Sequence, residues 1–477
     1  MTAPRAAVLV DAQAYYEAAM EAMARARQSI HFLNWAFEPD TRMRPQPGRA
    51  TGGADGIADF LKGLAEAEPT LDIRILCWQS ALPVAATQKF FPIVDRGVFA
   101  GSRVKFVLDG ALPQGACHHQ KIIVVDDAVA FCGGADIGQD RWDTSRHLDD
   151  DPRRERSRQP GRYYANRHEV MAVVDGSAAV ALGELFRRRW RRCTGETLEP
   201  RPPAPPTAWP PGVQPQFEDA RVGLSRTEPA WRGAPEVREC EALHLAGIAA
   251  AKACIYMENQ YFTSELIARA LAARLAEPDG PDVVLVSTTR SPSYFDQNTM
   301  DPTRSRFIER LKAADRFGHF QIYSPVTALG RDIIVHAKVT IIDDVLVRVG
   351  SANINNRSFG FDTECDLSLE ADGPTAERGR AAIRRLRTDI LAHWLGCASA
   401  VVDDAIASEG GVGRAVESLR QAGCHRLRPI APRPLAAPAA LIAKWHIGDP
   451  MGPADSFRPW KRRRALDREC AAANVES

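Results

Sequence analysis

The sequence predicts an α/β protein: two similar halves in one chain, related by a pseudo-twofold that places one shared site between them. Three observations carry this. The pattern H-x-K-x4-D occurs twice, as His119-x-Lys121-x4-Asp126 and His336-x-Lys338-x4-Asp343. A Gly-small-x-Asp/Asn turn follows each copy at the same spacing, Gly133-Gly134-Ala135-Asp136 and Gly350-Ser351-Ala352-Asn353. The order helix, strand, helix, strand, motif precedes both copies, which lie 217 residues apart (119 to 336), too far for a solenoid repeat. One H-x-K-x4-D fixes only three positions and is weak; two with matching sequels are hard to obtain by chance.

In chain order, Val8–Val10 reads as a strand, Ala14–Arg27 as a helix rich in Ala, Glu and Met, and Ile30–Trp35 as an apolar strand. Gly56–Ala67 is helical, Leu71–Trp78 alternates as a strand does, and Arg103–Leu108 leads into the first motif. Ser145–Tyr164, dense in Arg and Asp, reads as a solvated loop, with a flap over the site as the alternative. A strand ending at Asp175 and a long helix, Ala178–Arg192, close the half. That helix ends in Arg187, Arg188, Arg189, Arg191 and Arg192, which suit its negative dipole end or, as a second reading, lipid headgroups. Residues 199–235 are proline-rich at Pro200, Pro202-Pro203 and Pro205-Pro206 and read as a semi-rigid linker. The pattern then restarts with helix Glu241–Lys252 and strand Ile255–Met257. Strand Val283–Ser287, helix Arg304–Ala314 and strand Phe320–Tyr323 lead to the second motif. Strands alternating with helices indicate α/β units. The division expected is 1–198 and 236–405 for the halves, 199–235 for the linker and 406–477 for a C-terminal extension with a basic run, Lys461–Arg464, suited to an anionic surface.

Composition narrows the function. The chain is 45% apolar, enough for sizeable cores, and its net charge of +1 offers no global field for nucleic acid. Ten cysteines without a C-x-x-C pair argue against zinc fingers and a secreted disulfide framework, and fit a reducing compartment. No basic-then-apolar leader is seen and no uncharged apolar run reaches about 18 residues, so a cytoplasmic protein is expected, meeting lipid only from the water side.

The motifs themselves suggest phosphoester chemistry. In an extended segment His119 and Lys121 share a face, as do His336 and Lys338. The runs Ile122–Val125 and Val339–Ile342 read as strands buried on both faces. Glycines in the following turns allow backbone to approach a ligand closely. Two lysines can neutralise a phosphate and the charge developing on its oxygens. One histidine can attack phosphorus while the other protonates the leaving alcohol. A single strand histidine is more often a hydrogen-bonded core residue, but that does not explain lysines, which are rarely buried without a partner.

These residues resemble the phospholipase D superfamily, in its form with two motifs per chain. Cys117–Lys121, Phe131–Ile137 and Arg141-Trp142-Asp143 look like the first motif of the eukaryotic-type branch. Ile255–Phe262 resembles its "YIENQYF" segment, and Gly350–Asn355, Arg357-Ser358 and Asp362–Glu364 the tail of its second motif. The resemblance implies two α/β/α sandwich halves and metal-independent cleavage of a glycerophospholipid to phosphatidate and free headgroup alcohol. His119 would be the nucleophile, forming a phosphohistidine, and His336 the acid; another alcohol in place of water would give transphosphatidylation. It implies orienting carboxylates from the opposite half, Glu364 for His119 and Glu169 for His336, although this branch more often has Asp at the latter position. Asn353, Asp136 and Ser351 are expected at the phosphate, with Asp126 and Asp343 bracing structure; Glu258 and Asn259 are candidates for a headgroup pocket. No cofactor and no metal are implied. The partner expected is phospholipid at a membrane surface, not nucleic acid, for a monomer that is its own pseudo-dimer. The alternatives are a cardiolipin-synthase-type phosphatidyltransferase, whose usual N-terminal membrane helices are not seen here, a superfamily nuclease, and a non-enzymatic relative, which commonly loses one of the motif residues kept here.

Overall fold

The computed structural model describes residues 1–46, 56–80, 92–201 and 209–473. The first half contributes strands β1 (Thr2–Val10), β2 (Ser29–Asn34), β3 (Asp72–Trp78), β4 (Lys105–Asp109), β5 (Ile122–Val125), β6 (Val129–Gly133) and β7 (Val170–Asp175). The second contributes β8 (Phe217–Glu228), β9 (Cys254–Glu258), β10 (Asp282–Val286), β11 (Phe320–Pro325), β12 (Val339–Ile342), β13 (Leu346–Gly350) and β14 (Glu364–Glu370). In space the first set runs β4-β3-β2-β5-β6-β7-β1 and the second β11-β10-β9-β12-β13-β14-β8, the same order twice. Strands β2, β3 and β4 are parallel, as are β9, β10 and β11. Such pairs need crossover connections, which here carry the helices. The motif strands β5 and β12 enter antiparallel to β2 and β9 and turn back as hairpins into β6 and β13.

The halves join where β1 pairs antiparallel with β8, from Thr2 opposite Arg221 to Ala6 opposite Phe217. About this seam the sheet folds over, setting β6 and β7 against β13 and β14. Val124, Cys132 and Ala172 of one half and Val349, Cys365 and Leu367 of the other fill the core between them. Helices Ser177–Thr194 and Ala376–Leu395 also pack into this central core, while separate apolar clusters back each half. Two α/β halves with a shared central core are thus the architecture. Among the described residues no single helix is long and apolar enough to cross a membrane.

Several elements differ from the sequence reading. Residues 217–228, taken with the proline-rich stretch as linker, form β8, and its Phe217, Ala220 and Val222 are buried. Residues 202–208, the centre of that stretch, lie outside the described residues. The helix expected from Arg304 begins at Tyr294 and runs through Pro302. Loop 145–164 contains a hairpin, Glu155–Arg156 with Gln159–Tyr163, held by Arg158 on Asp40 and Asp95. Three of the five helical arginines are engaged in the protein, Arg187 with Asp127 and Glu184, Arg189 with Asp109, and Arg192 with Glu228, while Arg188 and Arg191 are exposed. Arg462 of the terminal basic run is buried on Asp455 and the carbonyl of His446.

Candidate active site

Each H-x-K segment is extended but lies just before its strand, because its backbone pairs with the opposite half. Thr363 N donates to Cys117 O (3.0 Å) and His119 N to Thr363 O (3.0 Å). In the second copy Ile334 and Val335 pair with Arg167 and His168, and His336 N donates to His168 O (2.9 Å). This register decides the site. It sets His119 beside Glu364 and His336 beside Glu169, each glutamate being the next residue along the opposing segment.

The side chains follow. His119 Nδ1 lies 2.9 Å and 3.0 Å from the two Glu364 oxygens, and His336 Nδ1 lies 2.9 Å from Glu169 Oε2. Both glutamates are fully buried. With Nδ1 engaged, Nε2 is the reactive nitrogen of each ring. Lys121 and Lys338 curl back on their own motifs, donating to the carbonyls of His119 (2.8 Å) and His336 (2.6 Å). The two motifs meet at Gly134: a Cβ there would lie 3.0 Å from His336 O and 3.2 Å from Lys338 Cδ. Gly350 is tighter still, since a Cβ would fall 1.9 Å from Asp366 Oδ1. The glycines let protein segments close on each other.

The electrostatics are those of a buried, cation-rich pocket. Burial together with Lys121 and Lys338 holds His119 well below its ordinary range. Burial with Lys338, Arg141 and Arg167 does the same to His336. Burial brings Lys338 down to about 7 and lifts Glu169 to about 7, despite Arg141, Arg167 and Lys338 around the latter. Glu364 is pushed well above the usual carboxylate range by burial, against the pull of Lys121. Burial therefore favours the neutral form of each partner in the two His–Glu pairs, and the lysines of each motif act on the other motif's histidine.

The remaining candidates divide. Ser351, expected at the phosphate, is instead turned inward: its hydroxyl donates to Glu364 Oε2 (2.5 Å) and accepts from Cys365 N (3.0 Å). Asp136 likewise faces protein, accepting from the amides of Trp35 (2.9 Å) and Ala36 (3.0 Å), with Lys121 Nζ 3.4 Å away. Both hold the groups that would meet phosphate. Asn353, its counterpart in the second half, is buried with its Oδ1 unpartnered among the described residues. Asp126 accepts from the amides of Arg27, Gln28 and Ser29, and Asp343 from those of Lys252, Ala253 and Cys254, bracing the starts of β2 and β9. Glu258 is held by His168, Tyr256 and Trp394 and is no headgroup ligand, while Asn259 Oδ1 caps Tyr261 N and Ile354 N and its Nδ2 is unpartnered among the described residues. Two residues escaped the sequence reading: Arg141 and Arg167 each place a guanidinium nitrogen 3.9 Å from Glu169 Oε1. An arginine next to a glutamate expected to orient a histidine was the available signal.

Known proteins share parts of this sequence and its fold. Residues 245–387 match the family model described as cardiolipin synthase, PLD-like domain. The chain is 27% identical over 253 residues to a cardiolipin synthase of Halalkalibacterium halodurans, covering 53% of this chain and 42% of that protein. It is 26% identical over 402 residues to cardiolipin synthase A of Pseudomonas aeruginosa, covering 80% and 70%. It is 24% identical over 441 residues to phospholipase D1 of Saccharomyces cerevisiae, covering 73% of this chain but 26% of the yeast protein. The match thus spans under half the length of some of these relatives. In fold the chain is similar to a phosphatidylserine synthase of Haemophilus influenzae, with TM-score 0.56, 14% identity, and 81% and 86% of the two chains covered. The class the fold defines is that of a two-motif, PLD-like α/β protein. Its second half thus matches a PLD-like domain, and the chain is similar to proteins of the phospholipase D superfamily.

Proposed function

We propose that the protein is a phospholipase D that hydrolyses glycerophospholipids to phosphatidate and the free headgroup alcohol. The observation that carries this is the exchange of carboxylates between halves, which gives each motif histidine an oriented ring at one cation-lined site. In the reaction His119 Nε2 attacks phosphorus and its Nδ1 proton passes toward Glu364. Lys121 and Lys338 neutralise the equatorial oxygens, and His336 protonates the departing headgroup oxygen. His336 then takes a proton from water, which displaces the phosphohistidine and releases phosphatidate. An alcohol in place of water gives a transphosphatidylation product by the same step.

A second reading has specific support. The matching family model and several relatives carry the name cardiolipin synthase, and the same machinery with phosphatidylglycerol as acceptor would be a phosphatidyltransferase. The phospholipase-like segments at Cys117–Lys121 and Ile255–Phe262 favour hydrolysis. Approach to a lipid surface is supported by exposed Tyr294, Phe295, Phe457 and Trp460. Phe457 lies over Gly115 at the entry to the first motif. The deciding measurement is product analysis on vesicles of phosphatidylcholine, phosphatidylethanolamine or phosphatidylglycerol. Phosphatidate with free headgroup supports the proposal, cardiolipin with glycerol supports the second reading, and cleavage of DNA or RNA with neither lipid product refutes both.

A further inference from the structure

A second polar cluster lies directly behind Glu169 and takes no part in the chemistry above. Asp11, His147, His168 and His393 each point one ligand atom at a common centre, all four atoms within 4.8 Å of one another. They come from the start of the helix Asp11–Met23, the loop after the first motif, the segment before Glu169, and the helix Ala376–Leu395 of the other half. Asp11 Oδ2, His147 Nε2 and His393 Nε2 are buried without a hydrogen-bond partner among the described residues. Three such atoms facing one another are costly in a protein interior unless something binds them. Asp143 favours the His147 tautomer that a metal ligand needs. The His147 Nδ1 is held 2.9 Å from Asp143 Oδ2, leaving the Nε2 lone pair directed inward, 3.7 Å from Asp11 Oδ2. A carboxylate behind a ligating imidazole is the usual support of a histidine metal site.

We propose that Asp11, His147, His168 and His393 form a structural transition-metal site, of the nitrogen- and oxygen-rich kind that suits zinc. Tetrahedral bonds of about 2.1 Å put neighbouring donors about 3.4 Å apart, so separations of up to 4.8 Å need to tighten by about 1.4 Å at most. On metal entry His168 gives up the Nδ1 proton it donates to Asp11 Oδ1 (2.8 Å), and its Nε2 stays on Glu258 (2.9 Å). Trp394 stacks on His147 and crosses His168 edge-on, which fixes both rings. Asp11 holds a left-handed backbone (φ 67°), a strained conformation for a non-glycine residue, and its amide donates to Glu169 O (2.8 Å). The ion would therefore bind the second half's helix to the first half and steady the segment that orients Glu169. It would not touch substrate. The four ligands are scattered over the chain at no recognisable spacing, so a sequence reading that expects no metal has nothing to see.

The test uses the full-length protein, loaded with zinc or cobalt(II), desalted and assayed for bound metal. One ion per chain is expected, with the strong visible absorption of four-coordinate cobalt and a higher unfolding temperature than the chelator-treated protein. His147→Gln and His393→Gln should each abolish the uptake, and Asp143→Asn should weaken it by 10–100-fold. Folding of each variant is checked by circular dichroism. Absence of stoichiometric uptake in the wild type overturns the site, as does equal uptake in folded His147→Gln and His393→Gln. These readouts do not involve turnover, so they stand apart from the fate of the proposed lipid activity.

Discussion

Replacing Glu364 with Gln isolates what the carboxylate does for His119. The substitution keeps size and one acceptor oxygen for Nδ1, and the backbone of β14 stays paired through Thr227 opposite residue 364. What is lost is the charge that meets the imidazolium as the reaction proceeds. At 2.9 Å, with an effective dielectric of about 20, that attraction is roughly 6 kcal/mol. Burial disfavours the carboxylate and offsets part of it, as the raised pKa of Glu364 shows. Glutamine restores about 1 kcal/mol through its remaining hydrogen bond. A net loss of about 3–4 kcal/mol in the transition state corresponds to a fall in kcat of roughly 10²–10³-fold.

The assay is steady-state and rapid-quench headgroup release from a short-chain phosphatidylcholine, with thermal unfolding as the control. KM should change less than about threefold, because the lysines and the Asn353 side chain are untouched. Ser351→Ala, which removes only the hydroxyl on Glu364, should cost about tenfold, one hydrogen bond to a charged group. If Glu364→Gln turned over within threefold of wild type, His119 would not need an orienting carboxylate and the mechanism drawn above would be wrong.

Other consequences are independent. Asp126→Ala orphans three backbone amides at the start of β2 and should lower unfolding stability by about 2–4 kcal/mol in a denaturant titration, while residual folded protein keeps its specific activity. A tungstate dianion binding at pH 7 should bring protons with it, because the anion cancels the lysine charge that holds His119 and His336 low; calorimetry in two buffers of different ionisation enthalpy would read zero uptake if this were wrong. His244 is buried and brought down to about 4, so the unfolded chain, with an ordinary histidine near 6.5, binds the extra proton between these values. Stability contributed by this residue is thus full above pH 6.5 and falls as pH drops, by about 2 kcal/mol at pH 5. His244→Gln should flatten the acid side of a plot of unfolding temperature against pH, and an unchanged slope would remove His244 as its source.

Much of the fold was legible because duplication writes every signal twice. His119, Lys121, His336 and Lys338 stand at matched positions, and the strands beside them are runs of β-branched residues that carry their own period. What escaped was structure set by the other half. Strand β8 follows a run of prolines, and its half-exposed middle, residues 223–226, hides the alternation that pairing with β1 and β14 imposes. Helix Tyr294–Ala314 passes through Pro302, a residue that local rules read as a stop, because tertiary packing outweighs the missing hydrogen bond. Ser351 is expected at the phosphate from the family resemblance. Only the fold reveals that Glu364 lies on its inner side. Arg141 and Arg167 were visible as letters but acquire meaning from a glutamate brought between them by strand register.

On the proposed function, the charge of the pocket bears on which phosphate ester it would accept. Lys121, Arg141 and Arg167 supply three positive charges, and Asp136 and Asp140, both held below the usual carboxylate range, supply two negative ones. Lys338 and Glu169 cancel whichever of them holds the proton. Glu364 and His119 also sum to zero, as neutral acid with neutral imidazole or as carboxylate with imidazolium. His336, held low, is neutral. The resting pocket is left with one uncompensated positive charge, and a phosphodiester carries one negative charge. A monoester at neutral pH carries up to two and would have to recruit a proton, which places that proton on the imidazoles and immobilises the nucleophile. The same burial that keeps the histidines poor bases in the empty site therefore matches the pocket to a singly charged substrate.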